Sequence, residues 1–285
     1  MNTQSTAPAR SKLFRQITDR LGQSGKLVVL TGAGVSAESG IPTFRGDDGF
    51  WTMGSRNYRP EELATWSTFA ADPELVWPWY LYRLGRCREA LPNAGHHALV
   101  EMDKLLGDRF LLVTQNVDGL HRLAGSPDAR TFHIHGDLER MRCGRDCTQR
   151  TWPVPDGLRT FQRGDSIEAR DGEYLHCPDC GAVARPHVLW FDESYDETWF
   201  RFYSSMAAAK SADVLLIVGT SGATNLPTQM VALARQNGAL IVELNLERSA
   251  FTAHAEDSGG GLLIGPAGDS LPALLDTLSA PPEAT

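Results

Sequence analysis

Three runs of consecutive apolar residues, each ending directly in a polar turn, constrain this chain more than any other feature. Leu27-Val-Val-Leu30 runs into Thr31-Gly32-Ala33-Gly34, Phe110-Leu-Leu-Val113 into Thr114-Gln115-Asn116-Val117-Asp118, and Val214-Leu-Leu-Ile-Val218 into Gly219-Thr220-Ser221-Gly222. Shorter runs follow at Leu240-Ile-Val242 and Leu262-Leu-Ile264. Apolar residues at every position, rather than at alternate ones, mark strands buried on both faces, and hence a parallel sheet covered by helices. Helical patterns between the runs, at His96 to Leu106 and Leu226 to Gln236, supply crossovers. The expected fold is α/β, a Rossmann-like doubly wound parallel sheet. Ligands of such sheets bind at the carboxyl ends of the strands, so these three turns are expected around one crevice.

Two stretches break the pattern. Residues from Gly46 to Leu91 are rich in Trp and Tyr and read as helical, whereas Arg140 to Arg185 is polar, carries four cysteines and has no buried-strand run. The expected division is a Rossmann-like domain from 21–45, 91–139 and 186–279. Residues 46–90 and 140–185 form a small helical and zinc-binding module, and 1–11 and 280–285 are flexible ends. Hydrophobic residues make up 42% of the 285, enough for a sizeable core. A formal charge of −8 argues against a nucleic-acid or anionic-membrane surface as the main site. No apolar run approaches the ~20 residues of a membrane span. The opening MNTQSTAPARS has no apolar core, so a cytoplasmic chain is expected.

Five motifs carry chemistry. Gly32-Ala33-Gly34-Val-Ser36-Ala37 after a strand is either a tight turn or a pyrophosphate cradle whose backbone N–H groups approach an anion. Gly40 and Pro42 end the following helix early, which leaves Phe44 and Arg45 on a loop near that cradle. Gln115, Asn116 and Asp118 form either an Asx-type turn or an amide and carboxylate set for ribose hydroxyls and a carboxamide. In His133-Ile-His135-Gly136-Asp137 the two histidines are either a metal pair, a buried structural pair, or, for His135 beside a glycine, a proton-transfer group. The pairs Cys143/Cys147 and Cys177/Cys180 have the spacing of four thiolate ligands on a structural zinc; the alternative is four unrelated thiols. Cys87, in a helical stretch, is expected to be packed and free. Tyr80 and Arg83, three apart, share a helix face that can hold a carboxylate, unless they are an aromatic stripe and a solvated cation.

Taken together, GAGVSAESGIPTFRG at 32–46, TQNVDGLH at 114–121, HGD at 135–137, the cysteine pairs and GTS at 219–221 resemble the sirtuin family, in order from Lys26 to Leu275. The resemblance implies an NAD-dependent protein lysine deacylase, with a Rossmann-like domain, a small zinc domain and substrate in the cleft between them. It assigns Gly32, Ala33, Gly34, Ser36, Glu38, Phe44 and Arg45 to the pyrophosphate and nicotinamide ribose of NAD. Gln115, Asn116 and Asp118 would hold nicotinamide and its ribose, with His135 as general base. Gly219, Thr220 and Ser221 would face phosphates and adenosine, Asn245 and Glu247 the adenine ribose, and Ala267 the adenine. The implied products are nicotinamide, free lysine and O-acyl-ADP-ribose.

Ala37-Glu38-Ser39 with Tyr80 and Arg83 is similar to the branch that removes succinyl and malonyl groups, where the Tyr–Arg pair binds the distal carboxylate. The substrate strand, Val188-Leu-Trp190-Phe191-Asp192-Glu193, departs from that pattern by an aspartate in place of glycine, expected as an added charge beside the peptide groove. The loop from Gly219 to Pro227 is also more polar than the family's usual turn. Implied partners are acyl-lysine proteins or peptides, with no nucleic acid and no membrane. The competing readings are an ADP-ribosyltransferase or NAD hydrolase on the same fold, and a non-catalytic NAD sensor.

Overall fold

The computed structural model describes residues 7–41, 51–53 and 56–280. Its strands are β1 (Leu27–Thr31), β2 (Trp51–Met53), β3 (Arg56–Tyr58), β4 (Phe110–Thr114), β5 (Thr131–His133), β6 (Gly136–Cys143), β7 (Thr151–Pro153), β8 (Ala184–Val188), β9 (Val214–Val218), β10 (Leu240–Asn245) and β11 (Gly261–Ile264). Six of them build one parallel sheet in the order β11-β10-β9-β1-β4-β5. Renumbered within the sheet, this is the doubly wound dinucleotide-binding order, with its switch point between β1 and β9.

The consecutive apolar runs have a direct cause. Val29 and Leu216 face a core layer with Phe14, Ile17, Leu99, Met102, Leu271 and Leu274. Their neighbours Val28, Leu30, Leu215 and Ile217 face the opposite layer with Met230, Val231 and Phe251. Successive strand residues point to opposite faces, so a strand covered on both sides needs an apolar residue at every position. Helices Ala7–Leu21, Ala94–Leu106 and Ala267–Ser279 cover the first face, Phe202–Ser211 and Asn225–Gln236 the second. Among the described residues, no helix is long and apolar enough to cross a membrane.

The first helix begins at Ala7, inside the stretch expected to be a loose end. Phe14, Ile17 and Leu21 are buried on one face and anchor it, and Pro8 lies in the first turn, where its missing N–H costs nothing. Residues 281–285 lie outside the described residues.

The small module differs from expectation in two ways. It contains a three-stranded antiparallel sheet, β7-β6-β8, in the stretch where no buried-strand run was read. Because β6 begins at Gly136 and β8 ends at Val188, this sheet also crosses the expected boundaries at 139/140 and 185/186. Its strands escape an apolar reading because they bury charge: Arg142 and Arg185 both pair with Glu193, and Asp137 with Arg122. Secondly, the stretch read as helical contains the hairpin β2–β3. Three-residue strands are too short to leave a period in sequence.

Helix Pro73–Glu89 joins module to sheet domain. Asp72 caps it by accepting from Leu75 N at 3.1 Å, and Pro73 fits its first turn. It buries Trp77, Tyr80 and Leu84 against Met141, Ala184, Val188 and Trp190. The Trp77 indole N–H donates to Ala184 O at 2.9 Å, fastening the helix to β8.

Candidate active site

The turns after β1 and β9 touch at the switch point. Gly34 N donates to Gly219 O at 2.8 Å, and Gly32 N to Val218 O at 2.9 Å. A Cβ on Gly32 would lie 2.7 Å from Thr220 Cβ, and one on Gly34 2.7 Å from Gly219 Cα. These glycines are therefore required by the approach of two backbones, besides any role toward a ligand.

The turn after β4 reaches into the same crevice. Gln115 Nε2 donates to Thr220 Oγ1 at 2.9 Å, and Gln115 Oε1 accepts from Thr224 Oγ1 at 2.8 Å. Asn116 Nδ2 donates to Gly32 O and to Ser36 Oγ, both at 3.1 Å. Ser36 is fully buried, and its Oγ is 3.4 Å from His96 Nε2. Asp118 Oδ1 accepts from Leu120 N at 2.9 Å, so the Asx turn exists. Burial nevertheless raises the Asp118 carboxyl above its ordinary range, against the opposing pull of the Leu120 N–H and the Ser36 hydroxyl.

His135 follows β5 and stands across from this group. Its Nδ1 is 2.9 Å from Gln115 O and its Nε2 is 2.8 Å from Tyr195 Oη. A carbonyl oxygen only accepts, so Nδ1 carries the proton and Nε2 keeps its lone pair. Burial pulls the imidazole down to about 4, outweighing the Gln115 bond, so the ring is neutral at pH 7. The alternative of a His133/His135 metal pair is not met: both ring nitrogens of His135 have other partners, and β5 ends at His133, which stops the alternation that would aim the two side chains together. Tyr195 was not among the expected site residues.

Farther along the cleft, Tyr80 is buried and its Oη accepts from Trp190 Nε1 at 2.7 Å. Burial pushes the phenol well above its ordinary range although the Arg83 charge opposes it, so Tyr80 is neutral. The Arg83 guanidinium lies 4.9 Å from the Trp79 ring centroid, and its charge also acts on Asp118. Cys87, one turn on, is buried and free, with its thiol pushed up to about 12 by burial. Val188 and Trp190 are buried beneath this region, whereas Phe191 is 58% exposed with its N–H on Ala64 O at 2.9 Å. Arg185 stacks 3.6 Å from the Trp190 centroid and holds Glu193 at 2.5 and 2.7 Å.

Asp192 is exposed and ionised, with its charge anchored to backbone N–H groups. Its carboxylate accepts from Trp66 N at 2.6 Å and Ser67 N at 3.0 Å, at the start of helix Trp66–Ala71. Despite some desolvation, those two N–H groups hold it below the usual carboxylate range.

At the opposite end, Asn245 Nδ2 donates to Thr220 O at 3.0 Å, and Glu38 Oε1 accepts from Gly268 N at 2.9 Å beside Ala267. Ser221 and Glu247 are exposed at the rim. Phe44 and Arg45 lie outside the described residues.

The four cysteine sulfurs lie within 4.8 Å of one another, with Cys143–Cys180 and Cys147–Cys177 each at 3.6 Å. Zn–S bonds of about 2.3 Å in a tetrahedron put sulfurs about 3.8 Å apart, so the cluster fits zinc. Cys143 ends β6, which ties this site to the small sheet.

A Rossmann-type sheet whose strand-end turns meet at its switch point, beside a four-cysteine cluster that fits a structural metal, defines a dinucleotide-binding class of α/β protein. The Sir2 family model matches residues 32–225. An NAD-dependent protein deacylase of Pyrococcus furiosus is 40% identical over 266 residues, covering 93% of this chain and 98% of that protein. NAD-dependent protein deacylase 1 of Pseudomonas aeruginosa is 40% identical over 263 residues, covering 92% and 98%. A solved NAD complex of a Sir2 homologue superposes with a TM-score of 0.77 at 37% identity, covering 94% of this chain and 93% of that one. The chain belongs to the Sir2 family, the sirtuins.

Proposed function

We propose that this protein is an NAD-dependent protein lysine deacylase that prefers acyl groups ending in a carboxylate. NAD is a substrate, held by the turns after β1, β4 and β9, and acyl-lysine proteins are the partners. The observation that carries the chemistry is His135: neutral at pH 7, pinned through Nδ1, with its basic lone pair on Nε2, where Tyr195 Oη lies at 2.8 Å. The acyl carbonyl oxygen displaces nicotinamide at the ribose anomeric carbon. His135 then serves as the base that takes up the proton of a ribose hydroxyl, directly or through an intervening group, as that oxygen attacks the acyl-derived carbon, and water releases lysine and O-acyl-ADP-ribose. Cys143, Cys147, Cys177 and Cys180 would hold zinc, which would supply only structural cross-linking, since four thiolates leave no open position.

The acyl preference rests on Tyr80 and Arg83. The Trp190 indole fixes the Tyr80 oxygen from one side, and the Arg83 charge acts on the same phenol. A phenol and a guanidinium together suit a carboxylate. Mass spectrometry of the products from NAD and an acylated peptide tests the reaction class. O-acyl-ADP-ribose and free lysine support it; nicotinamide release with an intact acyl group supports ADP-ribose transfer or NAD hydrolysis instead.

A further inference from the structure

We propose that Tyr195 carries the proton between the substrate ribose hydroxyl and His135, so that the base acts through a phenol rather than by direct contact. This rests on the deacylase reading above. A neutral imidazole has one lone pair, and here it lies on Nε2, because Nδ1 is committed to the Gln115 carbonyl. Tyr195 Oη occupies that lone pair at 2.8 Å. A ribose hydroxyl can therefore reach the base only if Tyr195 leaves or if the proton passes through it.

The segment carrying Tyr195 is clamped on both sides, which favours passage. Before it, the Glu193 carboxylate is held by Arg185 at 2.5 and 2.7 Å and by Trp190 N at 3.0 Å, and Glu193 N donates to Trp190 O at 3.0 Å. After it, Asp196 accepts from Trp199 N at 2.7 Å through its side chain and from Phe202 N at 3.1 Å through its carbonyl. Tyr195 also sits beside Thr224, whose hydroxyl donates to Gln115 Oε1, so its oxygen is among the groups assigned to the nicotinamide ribose.

The step balances. The ribose O–H proton moves to Tyr195 Oη while the Tyr195 O–H proton moves to His135 Nε2. The ribose oxygen uses the freed electron pair for its new bond to the acyl-derived carbon. Tyr195 is neutral before and after, and His135 ends as imidazolium. Burial pushes the phenol above its ordinary range, so no free phenolate forms and the two protons move together.

Tyr195→Phe keeps the ring and removes the relay. The expected result is single-turnover deacylation slowed by about 100-fold or more, the scale of a lost proton-transfer group. KM for NAD and peptide stays unchanged, and so does nicotinamide exchange, because that first step uses no base. The double variant with His135→Ala falls no further than His135→Ala alone, as expected of residues acting as a unit. Deacylation by Tyr195→Phe at or above the wild-type rate, with His135→Ala inactive, overturns the relay and makes Tyr195 a movable cover, while leaving the base assignment standing. Loss of exchange together with deacylation in Tyr195→Phe makes the residue structural and also overturns it. Full deacylation by His135→Ala removes the base reading and the relay with it.

Discussion

Trp190 donates its indole N–H to Tyr80 Oη at 2.7 Å, and both side chains are buried. The bond spans 110 residues and joins the segment after β8 to helix Pro73–Glu89, so the geometry of the proposed acyl end is set by a tertiary contact. A phenol oxygen that accepts from an indole has its own hydrogen directed away from that partner, as a donor to a ligand carboxylate requires.

Arg83→Met removes the cation of the pair. Desuccinylation is expected to fall by roughly 30- to 1,000-fold, the 2–4 kcal/mol scale of breaking a charge-assisted carboxylate contact, with a far smaller loss on acetyl-lysine. Parallel kcat/KM measurements on one peptide carrying either acyl group check this, and equal losses take Arg83 out of acyl recognition.

The pH profile follows from His135. Burial lowers its pKa to about 4, and the working form is the neutral base, so activity rises as pH climbs through about 4 and then levels. The base-dependent rate is expected to be flat from pH 6 to 8, whereas an ordinary histidine would lose half of it near 6.5. Stability has the same sign. His135 and His96 fall to about 4 and His187 to about 3, so the unfolded chain binds protons first as pH drops. Their contribution is full above about 6.5 and is lost toward 4. Thermal melts at pH 7.5 and 5.5, with zinc content checked at both, should give the lower Tm at 5.5.

Zinc content should be one mole per mole of chain. Removing it with a strong chelator is expected to loosen β6–β8 and lower Tm, since Cys143 is the last residue of β6. Hydrogen exchange localised to 136–188 reads this directly, and unchanged protection after metal loss contradicts a structural zinc.

Asp192→Ala removes the carboxylate on Trp66 N and Ser67 N. A stability loss of about 1 kcal/mol, typical of a lost helix cap, is expected in denaturant melts. The succinyl-to-acetyl rate ratio should stay the same, because the carboxylate is already committed to backbone N–H groups.

What could be read from sequence follows from where charge is buried. β1, β4 and β9 were legible because layers on both faces force an unbroken apolar run. β6 and β8 were not, because Arg142, Arg185 and Asp137 enter the interior with partners from elsewhere in the chain. The same division holds in the site. Gln115 and Asn116 in the turn after β4, and Ser36 in the short helix Gly34–Ala37 after β1, meet around Gly32 and Thr220. Tyr195 was invisible because its contact with His135 joins residues 60 apart and depends on how Glu193 and Asp196 clamp the segment.

The most direct test is a side-by-side assay of the purified protein on acetyl-lysine and succinyl-lysine forms of one peptide, with and without NAD, read by mass spectrometry. The account predicts NAD-dependent release of lysine and O-acyl-ADP-ribose, with succinyl removed well ahead of acetyl. Nicotinamide release that leaves both acyl groups in place would contradict it.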